Sequence, residues 1–203
     1  MRIVLGLGNP GEKYRRTRHN LGHEVVDALG QRWGPSGAAW SSLGRSARIL
    51  AVEIRGRPVV LAKSMTYMNR SGRAGVALRE HYGTEPGDLL LVYDDADLEL
   101  GRVRIRPRGG AGGHNGMRSL IAVLGSEDMP RIRLGILGRD RRRSELADYV
   151  LDEFEPEEAV LARQAVETAA DAAETVVVEG LSEAMNRFNV RQSREGGGSD
   201  GDV

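Results

Sequence analysis

The chain has 203 residues, 40% of them hydrophobic and 29% charged, with no cysteine and a formal net charge of zero. That length supports one domain with a real core, and the lack of cysteine excludes disulfides, thiolate nucleophiles and cysteine-ligated zinc. The neutral total hides segregation, with five Arg and no acid between Gly101 and Ser126, six more Arg from Arg131 to Arg143, and acids dominating from Glu145 to Glu183; this is the pattern either of one basic and one acidic surface or of a solvated, salt-bridged one.

In chain order, the apolar run Ile3, Val4, Leu5 predicts a buried strand over 2–7. It ends in the turn Gly8-Asn9-Pro10-Gly11, where Pro fixes φ and Gly permits φ > 0. An Arg-rich loop leads to His19 and Asn20, with Asn20 a plausible N-cap for a helix to Trp33. Residues 34–43 read as loop. Residues 46–54 and 58–62 read as a hairpin about Gly56 and Pro58. A helix follows Met68 and ends near Gly83. Leu89 to Tyr93 is an apolar strand that runs into Asp94-Asp95-Ala96-Asp97.

Arg102, Arg104 and Arg106 alternate with Val103 and Ile105, the period of a strand with one polar face. A Gly-rich stretch from Gly109 to Gly116 opens a helix to Gly125, and Arg131 to Ile136 is another strand. Pro156 opens a long helix to Val178. A short last helix covers 181–189, and the Gly-rich end from Glu195 reads as disordered. No apolar stretch approaches membrane-spanning length, and no signal peptide precedes the first strand, so a cytoplasmic location is expected.

Three arrangements compete for the chemistry. Gly6-Leu-Gly8-Asn-Pro-Gly11 fits a dinucleotide fingerprint, yet no amphipathic helix opens at its third Gly and the expected acid further on is missing. His19 and His23 have the i, i+4 spacing of metal ligands, but no strong ligand pattern accompanies them. His19, Asn69, Asp94 and Asn115 each follow a strand, so a parallel or mixed sheet would gather them on one rim. A His beside a buried carboxylate is a general base, and Asn side chains can hold a carbonyl, an amide or a water. Water attack activated by His19 is the simplest chemistry this set supports.

The blocks Gly6-Leu-Gly-Asn-Pro-Gly11, Thr17-Arg-His-Asn20, Thr66-Tyr-Met-Asn-Arg-Ser-Gly72, Asp94-Asp-Ala-Asp-Leu98 and Gly112-Gly-His-Asn-Gly116 together resemble bacterial peptidyl-tRNA hydrolase. The resemblance covers about residues 1–190. It implies an α/β fold, a single-domain three-layer α/β/α sandwich with a mixed, twisted central sheet, over 1–192, with 193–203 a disordered tail. It implies a monomer that hydrolyses the ester between a peptide and the 3′-terminal ribose of tRNA, with no metal or organic cofactor. By motif position His19 looks like the proton acceptor and Asp94 its support. Asn9 resembles the position that separates blocked peptidyl-tRNA from free aminoacyl-tRNA. Tyr14, Tyr67, Asn69 and Asn115 match positions that contact the substrate or the tRNA end, and Arg104, Arg106 and Arg133 match basic positions for the tRNA backbone. Tyr93 stands where the family pattern has His, and Leu137-Gly-Arg-Asp140 departs from its Gly-Arg-Pro. An intron-splicing cofactor of chloroplasts shares the fold and similar motifs without catalysis, and is the alternative reading.

Overall fold

The computed structural model describes residues 2–138 and 146–189. The predicted tail lies outside these residues, as do Arg139 and Asp140 of the departing stretch. In chain order the elements are β1 (Arg2–Gly6), α1 (Leu21–Trp33), β2 (Ser41–Leu43), β3 (Ala47–Ile54), β4 (Arg57–Ser64), α2 (Gly72–Tyr82) and β5 (Leu89–Glu99). There follow β6 (Val103–Arg106), α3 (Asn115–Leu124), β7 (Arg131–Leu137), α4 (Leu146–Tyr149), α5 (Pro156–Val178) and α6 (Leu181–Phe188). The seven strands form one sheet in the order β2-β3-β4-β1-β5-β7-β6. Strands β4, β1, β5 and β7 are mutually parallel, while β2, β3 and β6 attach antiparallel. The expected mixed sheet and α/β/α layering are therefore present.

Strand alternation divides the core in two. On β1 and β5, Val4, Leu90 and Val92 face α1, α5 and α6, while Ile3, Leu5, Leu89, Leu91 and Tyr93 face α2 and α3. Both faces of the central strands are covered, which is why they read as continuous apolar runs rather than alternating ones. Helix α5 meets the sheet and α1 through a stripe of small residues, Ala162, Ala165, Ala169, Ala172 and Ala173, all buried.

Helix α1 approaches the sheet unusually closely. A Cβ on Gly6 would lie 2.2 Å from the Gly22 carbonyl oxygen, and one on Gly22 would lie 2.3 Å from that of Val92. Both positions need glycine for this contact, and it brings the residues just before α1 down onto the carboxyl ends of β1 and β5.

Two expectations are corrected. Residues 41–43 are not loop: they form the edge strand β2, paired with β3, and short polar edge strands carry little sequence signal. Asp94 does not follow its strand. β5 continues to Glu99, and its pairing with β7 shifts between Asp95 and Glu99, so Asp94 is the last residue facing α1 before that irregularity. Helix α4 was not foreseen, since four residues give too short a period to detect.

Candidate active site

At the centre of the rim, His19 Nδ1 lies 2.8 and 2.9 Å from the two carboxylate oxygens of Asp94. Both residues are buried. His19 sits in a 3-10 turn (Arg18–Asn20) that runs into α1, and Asp94 comes from β5. With Nδ1 given to Asp94, Nε2 is the free ring nitrogen. A second histidine completes the group: His114 Nε2 is 3.2 Å from Asp94 Oδ1. His114 is the N-cap of α3, and its Nδ1 accepts the Met117 N–H at 3.2 Å. That acceptor role places the ring proton on Nε2, facing Asp94.

Burial alone would raise the Asp94 carboxyl. The charges and hydrogen bonds of His19 and His114 outweigh it and hold Asp94 well below the usual carboxylate range. Burial by itself would lower His19, but the charge and hydrogen bond of Asp94 prevail and raise it above its ordinary value. Asp94 is thus an anion under a histidine poised to take a proton.

His23 is elsewhere. Its ring packs over Gly8, with Nε2 3.5 Å from Ser64 Oγ, in a separate groove. Burial and the nearby Lys63 push it down to about 3. His19 and His23 therefore do not converge, because the turn before α1 points His19 toward Asp94. Among the described residues His19, Asp94 and His114 are the group close enough to share a cation. Each contact to Asp94 is already a direct hydrogen bond, which a cation would have to displace.

Asn20 does not cap α1 through its side chain. Its Oδ1 accepts the Asn9 N–H at 2.8 Å and its Nδ2 donates to the Asn9 carbonyl at 3.0 Å, which clamps the Gly-Asn-Pro-Gly turn. The Asn9 side-chain oxygen accepts the Met68 N–H at 2.8 Å. Its orientation is therefore set, and its amide Nδ2 remains as a donor. Met68 opens the 3-10 turn Met68–Arg70, which presents Asn69 to solvent. Tyr14 and Tyr67 meet edge to face with ring centroids 6.4 Å apart.

His19 and Asp94 open onto a cavity of about 380 Å³. Arg106, Arg133, Asn115, His114 and the backbone from Gly109 to Gly113 line it. The sheet thus brings His19, Asp94, Asn115, Arg106 and Arg133 to one cavity. Asn9, Tyr14, Tyr67 and Asn69 do not line it; Asn9 is bonded to the Met68–Arg70 turn that carries Asn69, and Tyr14 meets Tyr67. Arg104 is exposed outside it, directly across from Arg133 in the β6–β7 pairing. Val103 and Ile105 face the opposite layer, as the alternation predicts. Arg133 is paired with Asp95, whereas Arg104 and Arg106 have no ion pair among the described residues.

Four further residues were not singled out from the sequence. His114 and Asp95 each adjoin a flagged residue within a motif. Arg18 is buried: it donates to the Glu153 carbonyl at 2.7 Å and to Glu158 at 2.5 Å, and stacks over Tyr149 and Phe154. With the His19 N–H donating to Val150 O at 2.8 Å, it ties the His19 turn to the segment after α4. Arg131 is the fourth. Only the position of Arg18 beside His19 gave any signal for these last two.

Comparison with known proteins bears on the family and the fold. The family model described as peptidyl-tRNA hydrolase matches residues 3–196. A peptidyl-tRNA hydrolase of Chloroflexus aggregans is 46% identical over 190 residues, covering 93% of this chain and 99% of the relative. One of Mycobacterium bovis is 44% identical over 187 residues, covering 92% and 96%. The crystal structure of peptidyl-tRNA hydrolase from Acinetobacter baumannii superposes with a TM-score of 0.85 at 31% identity, covering 94% of this chain and 95% of that one. A match over nearly the whole chain, by sequence and by fold, places this protein in the peptidyl-tRNA hydrolase family.

Proposed function

We propose that the chain hydrolyses peptidyl-tRNA at the His19–Asp94 pair, with water as the nucleophile. His19 Nε2 takes a proton from water as its oxygen attacks the ester carbonyl carbon. Asp94 stabilises the imidazolium that forms and keeps the ring in the required tautomer. The tetrahedral intermediate collapses with cleavage of the bond to the ribose 3′ oxygen. That oxygen takes the proton back from His19, releasing peptide acid and free tRNA. The observation that carries this reading is the buried His19–Asp94 contact at the foot of a cavity walled by Arg106 and Arg133.

The polar groups divide the substrate between them. The cavity side, with Arg106, Arg133 and Asn115, receives the tRNA end, and exposed Arg104 extends that basic strip toward the acceptor stem. The other side, with Asn9, Tyr14, Tyr67 and Asn69, receives the peptide. The oriented Asn9 amide donates to a peptide carbonyl and offers no charge to a free α-amino group. In this reading the chain acts as a monomer. No described helix is long and apolar enough to cross a membrane, and a tRNA substrate supports a cytoplasmic location. The direct hydrogen bonds at Asp94 support catalysis without a metal.

The test is release of peptide from N-acetyl-aminoacyl-tRNA by the purified chain, with and without EDTA. Hydrolysis that survives EDTA and falls roughly 10²- to 10⁴-fold in His19→Ala is expected. RNA binding without any hydrolysis would favour the non-catalytic alternative, and loss on chelation restored by zinc would favour a metal.

A further inference from the structure

The cavity is lined by a buried cation that no acid among the described residues neutralises. Arg131 is 2% exposed and is the largest wholly buried side chain. Among the described residues it has no ion pair. Its bonds run to backbone carbonyls: Nε donates to Met129 O at 3.0 Å, Nη2 to Glu127 O at 3.0 Å, and Nη1 to Gly109 O at 2.5 Å and Gly110 O at 3.1 Å. Burying a charge without a counter-ion is unfavourable, and an apolar residue would fill the same space more cheaply. What an apolar residue lacks is a rigid planar fork that reaches two chain segments at once.

Those segments are the lead-in to β7 and the glycine-rich wall of the cavity. A glycine run has little conformational preference of its own, so ordering it must come from outside. Gly109 adopts φ +145°, in the region that favours glycine. One main-chain bond, Gly109 N to Glu127 O at 3.2 Å, holds this end of the wall to its neighbour. Arg131 supplies two more. The far end of the wall is His114 and Asn115 at the start of α3. The Arg131 guanidinium also lies beside the Tyr93 phenol, whose ring centroid is 4.7 Å from that of His114. None of these bonds reaches His19 or Asp94.

We propose that Arg131 is a positioning residue for the RNA end of the substrate: its fork sets the Gly109–Gly113 wall against which that end rests. This rests on the reading of the cavity as the tRNA side of a hydrolase. Loss of the fork should loosen the wall and weaken binding of tRNA while the base pair His19–Asp94 keeps working.

The test compares Arg131→Met, which keeps length without the fork, and Arg131→Lys, which keeps charge without the fork. Amide hydrogen exchange should quicken over 108–114 in both, with α1 and α5 at wild-type rates. KM for peptidyl-tRNA should rise roughly tenfold or more, the loss of one to two charge-assisted hydrogen bonds. The value of kcat and the acid limb of the pH profile should stay put. Unchanged exchange over 108–114 overturns the proposal, as does faster exchange with unchanged KM. Wild-type KM in Arg131→Lys would mean that charge matters and the fork does not. If Arg131→Met fails to fold, the Lys variant decides alone. No hydrolysis by the wild type would remove the hydrolase reading itself, which the exchange measurement does not depend on.

Discussion

Asp94→Asn separates the carboxylate's electrostatic role from its shape. In the parent, both carboxylate oxygens face His19 Nδ1, at 2.8 and 2.9 Å. Any orientation of an amide therefore sets its NH2 close to Nδ1–H, or forces the ring into the opposite tautomer with the proton on Nε2. A buried charge-assisted hydrogen bond contributes about 1.5–3 kcal/mol. Lost from the imidazolium-like transition state, this lowers kcat roughly 10- to 150-fold. The wrong tautomer deepens the loss, toward the roughly 10⁴-fold known for the same change in a serine protease triad. The pH profile gives an independent sign. Asp94 raises His19 above 6.5 in the parent, so activity falls on the acid side through a midpoint above that value. Without the anion, burial is the remaining influence, and it lowers His19. The acid limb of Asp94→Asn should thus move to lower pH while its plateau drops. Single-turnover hydrolysis of N-acetyl-aminoacyl-tRNA across the pH range reads both. A plateau within tenfold of the parent, or an acid limb that stays or moves up, would refute the electrostatic role of Asp94.

Asn9→Asp keeps the acceptor for the Met68 N–H but replaces the amide donor by a negative charge. The ratio of rates on blocked and free aminoacyl-tRNA should narrow roughly tenfold, the worth of one hydrogen bond to the peptide, and an unchanged ratio counts against this role. Arg106→Ala should raise KM for full-length substrate and reduce the slope of log affinity against log salt by roughly 0.7–0.9. A minimal ester lacking the stem should be insensitive to it, and equal losses on both substrates would assign Arg106 to the catalytic centre instead. Glu24, in the groove beside Asn9, is pushed up to about 7 by burial and by Asp27, against Arg15. Its folded-state value is above its unfolded one, so its contribution to stability is whole below about 4.5 and is lost as pH rises through about 7. Glu24→Gln should melt like the parent in acid and be about 1–2 kcal/mol more stable above neutrality, a figure discounted for partial exposure. Equal stability at all pH values would show that the carboxyl is solvated.

Much of the fold was legible because burial leaves a periodic trace. The runs at Ile3 to Leu5 and Leu89 to Tyr93 are apolar on both faces, and only central parallel strands bury both. Alternation at Arg102 to Arg106 assigned faces that the structure bears out. Pro156 opens α5, as its missing N–H allows. The elements that escaped, β2 and α4, are three and four residues long and leave no period to read.

The sequence by itself determined part of the rim. His19, Asn69 and Asn115 could be placed in the loops beyond strands, since strand and helix patterns are local properties of the chain, whereas Asp94, read as following its strand, lies within β5. The tertiary structure decided which side chains meet. It turned His19 toward Asp94 and His23 away from it, because glycine at positions 6 and 22 lets α1 settle on the sheet at one particular angle. It also brought in His114 and changed Asn20 from a helix cap into a clamp on Asn9. It buried Arg131, which the sequence counted toward a basic surface, against the Gly109 and Gly110 carbonyls. Periodicity reports which face of an element is buried. It does not report what waits across 75 or 22 residues of chain, the separations that join His19 to Asp94 and Arg131 to Gly109. Those contacts exist only once the sheet has formed and close packing leaves each side chain one place to go.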